Sequence, residues 1–332
     1  MRARASASRD HRSARRRAPA RGGRSTHTHT DEISTSGRRR ESDARRVGRD
    51  PWDEFFFRFL DPTRTYSCAL WNHPEDTLEQ AQLNKIDLAL GKCDLRPGMT
   101  LLDVGCGWGS ALLRAMDTRQ VNTIGLTVSR SQYRYVRDQL VDRLARGHPC
   151  GRVWLQGWEA FDGHADRIVC IDAFEYFHHD SYGEFFQFAH HALPVGGVLL
   201  LQTIVGYHRD GRRAHAIEHT GIDDAFMQFL TGTVFAGGPL SAPTGRGPKG
   251  VTAYAEHAGF TVTVIQAMGP HYATTLDHWA SALHEHRDHA IELTGTGIYN
   301  AYIRYLTGCA DYARRGHIDV MQFTCTKPGT PH

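Results

Sequence analysis

The sequence predicts an α/β protein built on a seven-stranded, mostly parallel sheet, and two observations carry this prediction. Short apolar runs alternate with longer amphipathic stretches, which is the pattern of strands joined by helices. A glycine turn follows the first apolar run directly, at the position where a parallel sheet holds a ligand. The seven apolar runs cover residues 100–104, 123–127, 152–155, 167–171, 198–204, 261–266 and 320–326.

Helical patterns fill the gaps between these predicted strands. Residues 110–117, 129–146 and 181–192 lie between the early strands, and two longer stretches, 276–293 and 297–315, separate the last two. Ahead of the first strand, Asp50 precedes an aromatic stretch and predicts an N-capped helix within residues 50–61.

Residues 206–250 interrupt the alternation after the fifth strand. This insertion begins with the charged stretch GYHRDGRRAHAIEHTG, continues with the helical pattern IDDAFMQFLTGTVF and ends rich in glycine and proline. Because long insertions in a compact domain are usually functional, we expect it to form a lid over the substrate.

The charges divide the chain of 332 residues into two parts. Residues 1–50 contain 15 Arg and 6 acidic residues, whereas residues 51–332 contain 24 basic and 30 acidic ones. The first part has almost no large apolar residue and predicts a disordered, Arg-rich tail, either solvated or in contact with nucleic acid or acidic lipid. No apolar stretch follows its arginines, so a secretory signal is not expected. Residues 51–332 are predicted to form the folded domain.

Cysteines and histidines argue against a disulfide or metal framework. The seven cysteines are odd in number and form no C-x-x-C pair, which favours a reducing cytoplasm. The 21 histidines have no Cys or carboxylate partner at ligand spacing, so no metal is expected. No apolar run reaches the roughly 20 residues that a membrane span needs.

The glycine turn LLDVGCGWGS narrows the choice of ligand. A dinucleotide-binding turn reads G-x-G-x-x-G and has an acidic residue about 20 positions later. Here Gly105, Gly107 and Gly109 give G-x-G-x-G, Asp103 precedes them, and the residue 20 positions after Gly105 is Gly125 with no carboxylate beside it. This pattern disfavours a nicotinamide dinucleotide and leaves a phosphate or another nucleoside as the ligand.

Seven ordered blocks identify a family resemblance between about residues 65 and 327. They are YSCALW, LEQAQLNKIDLALGKCDLRPGMTLLDVGCGWG, GLTVSRSQ, GWEAFD, DAFEYF, PHYATTLDHW and YLTGCADYARRGHIDVMQFTC. The chain resembles the S-adenosylmethionine-dependent cyclopropane fatty acid and mycolic acid cyclopropane synthases. The resemblance implies a Rossmann-like class I methyltransferase fold, with the helical lid inserted after the fifth strand, and S-adenosylmethionine as cofactor.

The resemblance also implies a set of cofactor contacts. Glycines allow close backbone approach, Gln132 can bond ribose hydroxyls, Trp158 offers an apolar face and Glu159 can accept from the adenine amino group. The alternative for Trp158 is packing in the core, which the surrounding motif disfavours. The implied contacts are Tyr66, Ser67, Asp103, Gly105, Gly107, Gly109, Thr127, Gln132, Trp158 and Glu159.

The chemistry of the family places a methyl group on an isolated carbon–carbon double bond and creates a carbocation. Loss of a proton from the new methyl closes a cyclopropane, and loss of another proton leaves a methyl-branched alkene. Such a site needs negative or π-electron groups near the cation, a base, and exclusion of water.

In relatives the base is a bound bicarbonate, held by a Glu, a Tyr, a His and backbone near an early Cys. Glu175, Tyr272 and Cys68 match three of these groups, and Cys309 matches a further active-site Cys. Gln202 stands in place of the His, and Gln cannot become a cation. The anion site is therefore weakened, or a carboxylate such as Glu175 acts as the base directly.

Two acceptors agree with the resemblance: a fatty-acyl chain, carried on a protein or in a membrane lipid, or a specialised small molecule. The family favours the lipid, whereas Gln202 and the polar start of the insertion favour the small molecule. Dense aromatic residues disfavour methyl transfer to nitrogen or oxygen, and the acidic body disfavours a nucleic-acid binder. The oligomeric state stays open.

Overall fold

A computed structural model describes residues 50–206, 222–234 and 248–329 of the chain. The predicted Arg-rich tail lies outside the described residues except for Asp50, and so do residues 207–221 and 235–247 of the predicted lid.

The seven predicted strands form one sheet. Its order is β3-β2-β1-β4-β5-β7-β6; β7 runs antiparallel to both of its neighbours, and the remaining pairs are parallel. The chain reverses its winding direction between β1 and β4, so ligands are expected beyond the carboxyl ends of these two strands. The strands are β1 (Thr100–Val104), β2 (Asn122–Thr127), β3 (Gly151–Leu155), β4 (Arg167–Ile171), β5 (Val198–Gly206), β6 (Thr261–Ala267) and β7 (Ile318–Thr326).

Ten α-helices occur among the described residues. They are α1 (Pro51–Phe56), α2 (Leu78–Lys92), α3 (Ser110–Arg119), α4 (Arg130–Ala145), α5 (Tyr182–Ala192), α6 (Ile222–Phe229), α7 (Pro248–His257), α8 (Gly269–Glu285), α9 (Arg287–Thr294) and α10 (Thr296–Arg314). Single turns of 3₁₀-helix cover Trp158–Ala160, Phe174–Tyr176 and His179–Ser181, and α6 continues as a π-turn over Leu230–Val234. None of the helices in these ranges is both long and apolar enough to cross a membrane.

Side-chain caps explain where several helices begin. The Asp50 carboxylate accepts a hydrogen bond from the Trp52 backbone N–H at 2.9 Å, as the predicted N-cap requires. Thr77 and Gln80 form a reciprocal capping box at the start of α2. The helix predicted over 276–293 begins earlier, at Gly269, and is divided at His286 into α8 and α9.

An apolar cluster of buried side chains lies between α1, α6, α8 and α10, and we call it the α8–α10 cluster. The Phe226 ring stacks on Tyr312 with ring centroids 4.8 Å apart, so the helical part of the predicted lid is packed against α10. The cluster includes Phe55, Phe59, Cys68, Phe226, Leu230, Tyr272, Trp279, Tyr302, Tyr305 and Cys309.

The burial of a leucine side chain predicts how much it contributes to the stability of the fold. Leu200 on β5 is fully buried, whereas Leu144 on α4 is 59% exposed. We expect Leu200→Ala to lower the free energy of unfolding by about 2–5 kcal/mol, because it removes buried contacts and leaves a cavity. The matched change Leu144→Ala should cost less than about 1 kcal/mol. Chemical denaturation measures both, and equal losses would contradict this assignment of the core.

Candidate active site

A cavity of about 540 Å³ lies above the carboxyl ends of β1, β2 and β4. Nine of the ten predicted cofactor residues line it, namely Tyr66, Ser67, Asp103, Gly105, Gly107, Thr127, Gln132, Trp158 and Glu159. The exception is Gly109, which lies at the start of α3 with φ +83° and whose hydrogens face Val136. The structure gives Gly109 a role in packing α3 against α4, and its contact with the cofactor stays a prediction.

The glycine turn forms the floor of this cavity. Gly105 and Gly107 have φ values of +77° and +54°, which favour glycine. A Cβ at Gly105 would overlap the Cβ of Ala173, whereas a Cβ at Gly107 would meet only open space. Backbone exposed in this way can approach a nucleoside closely, so the turn fits the S-adenosylmethionine that the family requires.

The wall beyond β2 and β3 carries the residues expected to face ribose and adenine. The Thr127 hydroxyl donates to the Gln132 side-chain oxygen at 2.7 Å, which leaves the Gln132 amide as a donor on the cavity. Trp158 lines the cavity but is only 5% exposed, and its ring packs on Phe185 and Phe188 at 5.6 and 5.4 Å. Trp158 thus belongs to both the core and the cavity wall.

The segment around α1 covers the cavity, a feature that the sequence analysis missed. Trp52, Asp53 and Arg64 line the cavity from this side. The Arg64 guanidinium lies 4.1 Å from the ring centroids of both Phe57 and Tyr135. At this distance its positive charge is attracted to the faces of both rings. This contact holds the α1 segment against α4.

A buried lysine on the cavity wall is a second feature that sequence reasoning missed. Lys85 of α2 is 1% exposed, and its ammonium hydrogen-bonds the Ser67 hydroxyl. Burial lowers the pKa of Lys85, while the nearby carboxylates of Asp172, Asp61 and Asp103 oppose that shift. Burial likewise raises the pKa of Asp103 to about 7, against the attraction of Lys85. The pKa of Lys85 and the pKa of Asp103 therefore each depend on the charge of the other group.

Asp172, directly after β4, is the third missed residue. Its backbone has φ +49°, and the residue lines the cavity. One carboxylate oxygen accepts from the Cys68 backbone N–H at 3.0 Å, and the other accepts from the Gln202 side-chain amide at 3.2 Å. Gln202 is fully buried and does not line the cavity, so its amide serves Asp172. No sequence pattern signals this contact, since it joins three separate segments.

The remaining predicted catalytic residues are buried behind Asp172. Glu175 is 3% exposed, and its carboxylate accepts from the Thr203 hydroxyl at 2.8 Å and from the Ile204 backbone N–H. Tyr272, Cys68 and Cys309 lie together in the α8–α10 cluster. Burial raises the pKa of Cys309 to about 12 and raises that of Cys68 well above its usual value, so both are neutral thiols.

Tyr66 connects the cavity with the α8–α10 cluster. It lines the cavity, packs on Trp279 with ring centroids 5.1 Å apart, and donates its hydroxyl hydrogen to the Tyr305 hydroxyl at 3.3 Å. An aromatic region rich in hydroxyl groups therefore adjoins the polar cavity.

A bicarbonate held by the predicted residues does not fit this arrangement. The Cys68 backbone N–H and the residue at position 202 are two of the groups that the resemblance assigns to that anion, and both already donate to Asp172. A bicarbonate would lie beside the Asp172 carboxylate, where like charges repel.

The sheet order, the glycine turn and the cavity above the strand ends define an S-adenosylmethionine-dependent methyltransferase with a Rossmann-like fold. The sequence profile of the family described as mycolic acid cyclopropane synthetase matches residues 37–323, and the chain belongs to this family.

Similar proteins agree with this assignment. Cyclopropane mycolic acid synthase 1 of Mycobacterium tuberculosis is 48% identical over 276 residues, which cover 83% of this chain and 93% of that protein. Methoxy mycolic acid synthase MmaA3 of the same organism is 46% identical over 277 residues, which cover 83% and 92%. The crystal structure of mycolic acid cyclopropane synthase CmaA1 complexed with SAH and CTAB matches with a TM-score of 0.78 and 46% identity, covering 84% of this chain and 95% of that one.

The glycine turn yields a test of cofactor binding. Gly105 and Gly98 have similar φ values, +77° and +86°, but only Gly105 faces a close neighbour and the cavity. Alanine at either position should cost about 1–2 kcal/mol of stability through backbone strain, and at Gly105 the overlap with Ala173 adds to that cost. We expect Gly105→Ala alone to weaken binding of S-adenosylhomocysteine by about tenfold or more, as measured by calorimetry. Equal affinities of the two variants would show that Gly105 does not contact the cofactor.

The raised pKa of Asp103 yields a test of pH dependence. An aspartate in an unfolded chain has a pKa of about 3.9, whereas that of folded Asp103 is about 7. The folded state then holds its proton more tightly, so this group makes the protein less stable as pH rises from about 4 to about 7, with no further change above. With Asp103→Asn, the fall in melting temperature between about pH 4 and about pH 7 should be smaller than in the unaltered protein by at least about 2 °C. Asp288→Asn, at a side chain 94% exposed, should leave this fall unchanged.

Proposed function

We propose that this methyltransferase adds a methyl or methylene group to a carbon–carbon double bond of a fatty-acyl chain, giving a cyclopropane or a methyl-branched product. One observation carries the proposal: the α8–α10 cluster, apolar and aromatic, adjoins the cofactor cavity through Tyr66. The seven free cysteines favour the cytoplasm as the place of the reaction.

The cavity residues hold and orient the cofactor in this proposal. When bound, S-adenosylmethionine supplies an electrophilic methyl group on a sulfonium. The Gly105–Gly107 turn would hold its amino-acid part, and Gln132 and Glu159 would bond its ribose and adenine. Trp52 and Arg64 close the cavity from the α1 side and keep water away from the reacting atoms.

Tyr66 and residues buried beyond it stabilise the positive charge that forms on the acceptor. The rings of Tyr66, Tyr272 and Tyr305 present π-electrons, and Glu175 contributes a fixed negative charge. Burial raises the pKa of all three tyrosines well above the usual range, so their hydroxyl groups stay protonated and do not react with the cation.

An acyl chain is a better acceptor than a specialised small molecule. Phe226 and Leu230, from the helical part of the insertion, are buried in the α8–α10 cluster beside Cys309. This apolar surface suits a hydrocarbon chain, and the relatives reported above are named for mycolic acid synthesis. The polar start of the insertion, which favoured the small molecule, lies outside the described residues.

Mass spectrometry of lipids tests the proposal. The full chain would be expressed in a host that lacks its own cyclopropane synthase, with Glu175→Gln as a control. We expect unsaturated acyl chains to gain the mass of one CH₂, and the gain to fall by about a hundredfold with the control because its negative charge is lost. Phospholipids and acyl carrier protein would be analysed separately. The one whose acyl chains gain mass is the carrier on which the enzyme modifies the acyl chain.

Two results would contradict this proposal. Unchanged lipids, from cells whose purified enzyme still binds S-adenosylhomocysteine, would indicate a different acceptor. A Glu175→Gln variant that no longer binds S-adenosylhomocysteine would show that Glu175 belongs to the cofactor site and not to the acceptor site.

A further inference from the structure

The Asp172 carboxylate occupies a place that the family resemblance gives to a separate anion. It accepts one hydrogen bond from the Cys68 backbone N–H at 3.0 Å and one from the Gln202 amide at 3.2 Å. Each oxygen of the carboxylate is thus anchored once. Since a carboxylate can accept about four hydrogen bonds, it keeps lone pairs for the cavity that it lines.

We propose that the Asp172 carboxylate is the general base of the reaction and replaces a bound bicarbonate, so that this enzyme works without that anion. The inference rests on the proposed function, because it assigns the proton-removing step of the same chemistry.

Lys92 fixes the orientation of the Gln202 side-chain amide through Gln322. The Lys92 ammonium can only donate, and it donates to the Gln322 side-chain oxygen at 2.7 Å. The Gln322 amide must then face Gln202, and it donates to the Gln202 oxygen at 2.9 Å. The Gln202 amide is therefore turned toward Asp172. This chain of three side chains presents a neutral donor to the carboxylate and holds it in one position.

Asp172 is close to both halves of the site. It lines the cofactor cavity together with Gly105 and Tyr66. Its charge also acts on Tyr272 of the α8–α10 cluster, where it adds to the effects of burial and Cys309 in raising the pKa of that tyrosine. A base in this position can reach a methyl group that has just passed from the cavity to an acceptor in the cluster.

The proposed step balances in charge and bonds. The alkene π-electrons form the new carbon–carbon bond to the methyl group while the methyl–sulfur bond breaks and its electron pair stays on sulfur. The positive charge thus passes from the sulfonium to the neighbouring acceptor carbon. A lone pair of Asp172 then takes a proton from the new methyl, and the released C–H electron pair closes the third side of the ring. Asp172 ends as a neutral carboxylic acid and returns its proton to water before the next turnover.

Charge favours Asp172 over the alternatives. Burial raises the pKa of Asp172, although Lys85 and the two hydrogen bonds that Asp172 accepts oppose this shift. Asp172 is therefore a stronger base than an exposed aspartate. Glu175 is a weaker candidate because its carboxylate is bonded by Thr203 and Ile204 and does not line the cavity.

The first experiment measures turnover of the full chain in buffers freed of carbon dioxide and in buffers with added bicarbonate. We expect the rate of the unaltered enzyme to be the same in both. Asp172→Asn should lower it by about a hundredfold or more, without rescue by bicarbonate, because asparagine tolerates positive φ but cannot take the proton. Asp180→Asn, at an exposed aspartate nearby, is the matched control and should leave the rate unchanged.

Binding of S-adenosylhomocysteine, measured by calorimetry, shows whether each variant is folded and what Asp172 contacts. Unchanged affinity in Asp172→Asn supports the proposal. Weakened affinity would make Asp172 a ligand of the cofactor and overturn it. A rate that rises severalfold with bicarbonate in the unaltered enzyme, or full activity in Asp172→Asn, would also overturn it.

A second measurement needs no turnover and separates this proposal from the proposed function. It records the ¹³C NMR line width of labelled bicarbonate with the full chain and S-adenosylhomocysteine. We expect no saturable broadening with the unaltered enzyme and clear broadening with Asp172→Gly, where the donors of Cys68 and Gln202 are released. The same behaviour of both proteins would overturn the inference, whatever acceptor the enzyme uses.

Discussion

Charge buried at the carboxyl ends of β1 and β4 is the constraint on which the rest of the site depends. Two carboxylates, Asp103 and Asp172, lie beside one ammonium, that of Lys85, and removing this ammonium would leave buried negative charge uncompensated at a cost of several kcal/mol. Helix α2 must therefore lie against the sheet. Because Gln82 of the same helix bonds the Ser67 carbonyl at 2.8 Å, the segment that carries Cys68 is fixed with it.

This polar wall and the α8–α10 cluster divide the site between two kinds of ligand. The cavity side offers backbone groups, amides and carboxylates that suit a nucleoside, whereas the cluster side offers rings and neutral thiols that suit a hydrocarbon. Tyr66 lies at the boundary and belongs to both. An enzyme that joins a polar methyl donor to an apolar acceptor needs such a boundary, since water on the acceptor side would trap a carbocation as an alcohol.

The sequence predicted the seven strands because each is a short apolar run, and it predicted the cavity because glycines mark the turn after β1. It missed α2 as a helix, since Gln82 and Lys85 on its buried face break the apolar period. It began α8 too late because Gly269 and Pro270 look like helix breakers, although proline fits the first helical turn. Asp172 and Lys85 could not be identified from sequence, because their roles depend on burial and on contacts between distant segments.

Gln202 shows why a residue that departs from a family pattern has to be interpreted together with its contacts. Taken alone, it suggests a weakened site for an external anion. In the structure the Gln202 amide donates to an anion of the protein itself, the Asp172 carboxylate. Beside this carboxylate a neutral amide has an advantage over a histidine. A protonated imidazole would form an ion pair with the carboxylate and lower its pKa, which would weaken it as a base. The amide positions the carboxylate without that loss of basicity, so glutamine is the side chain that a built-in base requires at this place.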